Sequence, residues 1–207
     1  MSYQPSPSRL EAFSDGVIAV IITIMVLEFK VPHENGFAGL RAIAPTLAVY
    51  ALSYAFTGIY WVNHHHLVHR LKRVDHIILW ANLGFLFCLS LLPFFTNYLV
   101  EKHLDSFSVE TYLALLLITG ASFTALQKAI GAHLRYTRED RDPAEVALQQ
   151  AEQRKAIASL LMYLTATPLA ALRPIFGLIM AALVTLLWIL PTFGLHHRDP
   201  ACDHRPE

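Results

Sequence analysis

Apolar runs of membrane-crossing length alternate along this chain with short polar clusters. A spanning helix needs about 17–25 mostly apolar residues, and six runs qualify: about 10–31, 42–66, 76–99, 109–130, 155–172 and 174–192. The third is the clearest, with no charged side chain from Ile77 to Val100. In the first, RLEAFSDGVIAVIITIMVLEFKVP (9–32), only Gly16 to Leu27 is free of charge. Pro45, Pro93 and Pro168 fall inside apolar runs, which membrane helices tolerate better than soluble ones. The pattern predicts an all-α integral membrane protein with six transmembrane helices per subunit.

Composition and charge sharpen this picture. Of the 207 residues 55% are hydrophobic and 15% charged, against about 25% charged in ordinary soluble domains. Mean hydropathy is +0.42. Formal net charge is zero, which gives no basis for nucleic-acid binding. With the N-terminus in the cytoplasm, the inner segments hold 12 of the 16 Lys and Arg residues, leaving Lys30, Arg41, Lys102 and Arg173 outside. The positive-inside rule therefore predicts a multi-pass protein with both termini cytoplasmic. Residues 1–195 read as one six-helix unit without an internal repeat. Segment 133–154 reads as a helical cytoplasmic linker, with Pro143 suited to a helix start, and 196–207 as a polar cytoplasmic tail. No cleavable leader is expected, because Asp15 interrupts the first run and no small-residue cleavage site follows it. Cys88 and Cys202 form neither a disulfide framework nor a metal spacing.

The first run has two faces. At 100° per residue, Phe13, Val17, Ile24 and Leu27 cluster around Val20, flanked by Gly16 and Thr23, while Ser14, Asp15, Ile18, Ile22 and Met25 point the other way. Asp15 is the anomaly, since a carboxylate at the bilayer centre costs about 2.5–3.5 kcal/mol on insertion scales and should face protein or water. His64, two turns before Arg70, and Asn82, two turns after Arg73, lie at matching depth. An Asp15–His64/His65–Asn82 hydrogen-bond network is therefore expected, satisfying groups that hydrocarbon cannot. The polar face would then hold the helix in place and the apolar face would line something.

Arg9, Phe13, Ser14 and Asp15 form an R-x-x-x-F-S-D string. It is followed by LEFKVP, by Tyr60-Trp61-Val62-Asn63-His64-His65, by Asn82-Leu83, and by Leu92-Pro93-Phe94-Phe95-Thr96. In this order the motifs resemble the transmembrane protein 175 family of potassium channels, in its short prokaryotic form; the likeness covers the first three spans strongly. The resemblance implies a homotetramer in a bacterial inner membrane, with the first helix of each subunit lining a central pore. It also implies passive potassium conduction without cofactors. Transferred residue by residue, the apolar constriction rings fall at Val20, Ile24 and Leu27, and a hydroxyl ring aiding potassium selectivity at Thr23. The first ring is often isoleucine in relatives; Val20 removes a methylene there, so a wider, leakier constriction is expected.

Other readings stay open at this level. The run HHHLVH (64–69) carries the residue type for zinc or copper, but no second ligand pair lies at matching depth, so no metal is expected. Neither a nucleophile–base spacing nor a phosphate loop is present, so no enzyme is expected. A proton-coupled secondary transporter would use Asp15 and the second-helix histidines as a relay. A membrane scaffold without transport would make the stripe ordinary core packing.

Overall fold

The computed structural model describes residues 6–136 and 143–189. Every regular element among them is helical. Helix α1 is Pro7–Leu27, with proline in its first turn, where the missing N–H would have had no intrahelical partner. Its 21 residues extend about 31 Å, close to the thickness of a hydrocarbon core. The short α2 (Gly36–Ala42) leads into α3 (Ala44–Val68) through a 51° bend. Pro45 lies in the first turn of α3 rather than inside it, so the bend falls at Ile43, between the two helices. Helices α4 (His76–Ser90) and α5 (Leu92–Glu101) together make one 26-residue apolar stretch. It is interrupted where Leu91 N–H bonds Cys88 O and Pro93 offers no donor.

Helix α6 (Ser106–Tyr136) runs 31 residues, and α7 (Pro143–Leu172) runs 30, carrying Pro168 inside. Helix α8 is Pro174–Ile189. Four stretches are long and apolar enough to cross a membrane, and α2 with α3 makes a fifth if the bent pair is one span. The protein is thus an all-α, multi-pass membrane protein with four to five long apolar helices. The sixth expected run is apolar, but its described part is only 16 residues long, about 24 Å of helix. Within the expected linker, α6 extends to Tyr136 and α7 begins at Pro143. Residues 133–136 and 143–154 are therefore helical, as the end of α6 and the start of α7. The segment 137–142 and the tail 196–207 lie outside the described residues.

Helix α6 is the centre of the bundle, packing against α4, α5, α7 and α8, whereas α1 packs against α3, α4 and α5. Close approach is bought with small residues: a Cβ on Gly177 would stand 2.8 Å from both Ala170 and Leu113, the kind of contact by which membrane helices associate. Buried hydroxyls join three helices at mid-bundle. Ser53 Oγ of α3 lies 2.9 Å from Thr96 Oγ1 of α5 and 2.9 Å from Tyr112 Oη of α6.

One end of the bundle is fastened by Asp75. It caps α4 by accepting from Ile78 N–H at 2.8 Å, and its other oxygen lies 2.9 Å from His133 Nδ1 of α6. Desolvation pushes its carboxyl up, but the Ile78 N–H and His133 outweigh this and hold it below the ordinary carboxylate value. A depressed acid contributes stability above its unfolded pKa and loses it as pH falls through the folded one. The thermal stability lost on Asp75→Asn should therefore be full at about pH 5 and shrink as pH drops below about 4. Unfolding curves in detergent at stepped pH measure this, and a difference that stays constant to pH 2 would contradict the cap.

Candidate functional site

The Arg9 end of α1 is held by a directional chain of hydrogen bonds. Asn82 Oδ1 can only accept, so His64 Nε2, 2.8 Å away, carries the proton and donates. Asn82 Nδ2 donates to Ser14 Oγ at 3.0 Å, and Ser14 Oγ donates to Leu10 O at 2.9 Å. His64, Asn82 and Ser14 are wholly buried. Helices α3, α4 and α1 are therefore joined where hydrocarbon would leave each group unpaired.

Asp15 is not a member of this chain. It accepts from Trp61 Nε1 at 3.0 Å, and His65 pairs instead with Glu11 at 2.7 Å. The expected Asp15–His64/His65–Asn82 network is thus divided among three contacts. The reason is angular: Ser14, 100° around α1 from Asp15, is the residue that faces α4. Asn63 also lies apart from the chain. It donates to Ile59 O on its own helix and faces a recess among α3, α6, α7 and α8. Phe13 is exposed on the opposite face of α1, and Arg9 lies one residue before the buried Leu10. Glu11 escaped the sequence reading, although it lies one turn before Asp15 with the same sign of charge.

The two faces of α1 differ sharply in burial. Ile18, Ile21 and Met25 are 2–3% exposed, packed into the subunit. Val20 is 55% exposed, Ile24 41% and Leu27 78%, and Thr23 is exposed between them. Val20 and Ile24 of this face, with Ala12, Phe13, Gly16 and Val17, form one wall of an open groove of about 740 Å³, whose other wall is Ser90, Pro93, Phe94 and Asn97. Thr23 Oγ1 donates to Val20 O at 2.9 Å. That bond occupies its proton and leaves an oxygen lone pair free on an exposed side chain. In the histidine run, His65 stacks on His69 at 5.8 Å and meets His66 edge-on. Among the described residues no group of three or more His, Cys, Asp or Glu is placed to hold a metal ion.

These features define a multi-pass helical membrane protein whose first helix is hydrogen-bonded on one side and bare on the other. The chain belongs to the TMEM175 family. Residues 9–93 match the family described as endosomal/lysosomal potassium channel TMEM175. A potassium channel of Chryseobacterium sp. (strain P1-3) is 39% identical over 183 residues, covering 88% of this chain and 92% of its own length. A potassium channel of Streptomyces collinus is 36% identical over 126 residues, 57% of this chain and 61% of that one. The crystal structure of a lysosomal potassium-selective channel TMEM175 homolog from Chamaesiphon minutus matches with a TM-score of 0.76 at 24% identity. The match covers 88% of this chain and 96% of that chain, and the likeness is one of fold. Membership sets the chain among membrane channels rather than enzymes.

Removing the middle of the hydrogen-bond chain should be costly. Asn82→Leu strands the His64 N–H, while Ser14 keeps its bond to Leu10 O, a loss of about 1–3 kcal/mol if the imidazole finds no new partner. In membrane proteins such pairs couple more weakly, on average about 0.6 kcal/mol. A double-mutant cycle of Asn82→Leu with Ser14→Ala, read by thermal unfolding in detergent, should give a coupling of about 0.5–1.7 kcal/mol. Zero coupling would mean the two side chains do not support each other.

Proposed function

We propose that this chain is one subunit of a homotetrameric, potassium-selective channel, with six transmembrane helices per subunit and α1 lining a central pore. The observation that carries the reading is the bare stripe of Val20, Thr23, Ile24 and Leu27, on a helix whose other face is fastened by the Ser14–Asn82–His64 chain. Val20, Ile24 and Leu27 serve as apolar rings that exclude water when the pore is narrow, and a modest dilation admits a hydrated or partly hydrated ion. Thr23 supplies hydroxyl oxygen to the ion's coordination shell, a role suited to an oxygen whose proton is already engaged by Val20 O. Potassium is the permeant substrate, and the mechanism needs no cofactor. The names of the bacterial relatives, potassium channels in each case, support the same reading. The protein then resides in a bacterial inner membrane, with both termini in the cytoplasm and the Leu27 end of α1 outside. Residues 1–195 act as one channel unit.

The proton-relay transporter fits the geometry less well. Asp15 reaches an indole, not a histidine. His64 reaches Ser14 only through Asn82, and a side-chain amide has no titratable proton to pass along. The carboxylate–imidazole pair that joins α1 to α3, Glu11 with His65, does not connect to that chain through any of the bonds described.

Planar-bilayer recording under opposed potassium and sodium gradients tests the proposal. Discrete currents reversing toward the potassium potential are expected. Thr23→Ala should shift the reversal toward zero, and Val20→Ile should lower conductance while sharpening selectivity. Variants indistinguishable from the parent would remove these residues from the pore. A silent bilayer, together with proton-coupled flux into liposomes that Asp15→Asn abolishes, would overturn the channel reading.

A further inference from the structure

Glu28 caps the C-terminus of α1, one residue beyond Leu27. A carboxylate there opposes the helix dipole, whose C-terminal end favours cations, so the position is electrostatically unfavourable for the helix itself. Its side chain is nevertheless held: Asn97 Nδ2 of α5 donates to Glu28 Oε2 at 3.2 Å. Asn97 is neutral and cancels no charge. The nearby cation Lys30 is directed elsewhere, donating to Glu101 at the end of α5. Glu28 is thus fixed in position by a neutral partner and keeps its charge in the open, with Lys30 near enough to feel its field but donating to Glu101.

Its location gives that charge a use. Glu28, Pro93 and Asn97 line both the groove along α1 and a second recess of about 490 Å³ beyond its end. The charged groups facing that recess are Glu28, Glu34, Glu101 and Lys30, with His33 and His103 beside them. Carboxylates outnumber ammonium groups three to one, and Glu28 is the one carboxylate that also borders the α1 groove. Concave surfaces of one sign concentrate counter-ions and speed their arrival.

We propose that Glu28 is the entrance charge of the α1 path: its carboxylate enriches monovalent cations at the Leu27 end of the groove and so sets the rate at which they reach the apolar stripe. The inference rests on the channel reading above. Glu28 acts through its field, not as a ligand that holds an ion. A single exposed carboxylate is screened over about 30 Å at 0.01 M salt and over about 3 Å at 1 M. Its influence must therefore fade as salt rises, whereas an effect on local packing would not.

The test uses the full-length protein in planar bilayers, comparing unitary potassium conductance of the parent and Glu28→Gln in KCl at about 0.01 M and about 1 M. The variant should conduct roughly threefold less at the low concentration and nearly equally at the high one. Glu28→Asp, which keeps the charge, should retain most of the low-salt conductance. In a background with Cys88 and Cys202 replaced by serine, Glu28→Cys should recover low-salt conductance when labelled with an anionic thiol reagent and not with a cationic one. A Glu28→Gln to parent ratio that is the same at both concentrations, whether one or well below one, would overturn the proposal. Silence of the parent protein would instead overturn the channel reading and leave the two failures distinct.

Discussion

The hydrogen-bond chain from His64 through Asn82 and Ser14 to the Leu10 carbonyl decides which way α1 faces. Rotating α1 by one residue would replace the Ser14 hydroxyl with the Asp15 carboxylate or the Phe13 ring. The Phe13 ring would leave the wholly buried Asn82 Nδ2 without an acceptor, and the Asp15 carboxylate would carry a charge into a wholly buried site. In lipid, where an unpaired polar group costs several kcal/mol, that penalty fixes the rotation more firmly than apolar contacts do, since Ile, Val and Leu meet lipid and protein about equally well. The Asp15–Trp61 and Glu11–His65 contacts add two further ties between α1 and α3 near the same end.

With rotation fixed, the rest of α1 follows from its period. Ile18, Ile21 and Met25 are carried into the subunit, and Val20, Thr23, Ile24 and Leu27 are carried out of it. An apolar stripe facing lipid would be unremarkable, because exposure there costs nothing. A carboxylate at its end is another matter, since a charge is poorly placed against hydrocarbon. Glu28, held by the neutral Asn97, is an arrangement that makes sense beside water and ions. At the far side of the subunit, α6 with α7 and α8 forms a tightly packed body, with Gly177 permitting close approach, against which α1 and its neighbours are braced.

Four to five of the six expected spans were legible in the sequence as long apolar helices, because hydropathy over twenty residues is a strong, local signal. The two faces of α1 were legible for the same reason, being a matter of period alone. What escaped was chosen by tertiary contact. The bend at Ile43 lies within uninterrupted apolar sequence, where hydropathy does not distinguish one helix from two. Asp15 was the most conspicuous polar residue of the first run, yet the neighbouring Ser14 points at Asn82, and a difference of one position is beyond a depth argument. Asn63 shares a motif with His64 but lies 100° away and faces another part of the bundle. The Glu28–Asn97 and Lys30–Glu101 contacts join residues about seventy apart, a separation over which a single sequence carries no trace of pairing.

The central claim is that the bare face of α1 borders an aqueous path, and cysteine accessibility tests it most directly. In a background with Cys88 and Cys202 replaced by serine, single cysteines would be placed at Val20, Thr23, Ile24 and Leu27, and as controls at Ile18, Ile21 and Met25. Each variant would be exposed to a membrane-impermeant, charged thiol reagent during recording. Modification should block current at the first four positions and leave the other three unaffected. Block at Ile18, Ile21 and Met25, with the stripe unreactive, would mean that the path runs elsewhere and that α1 is merely structural.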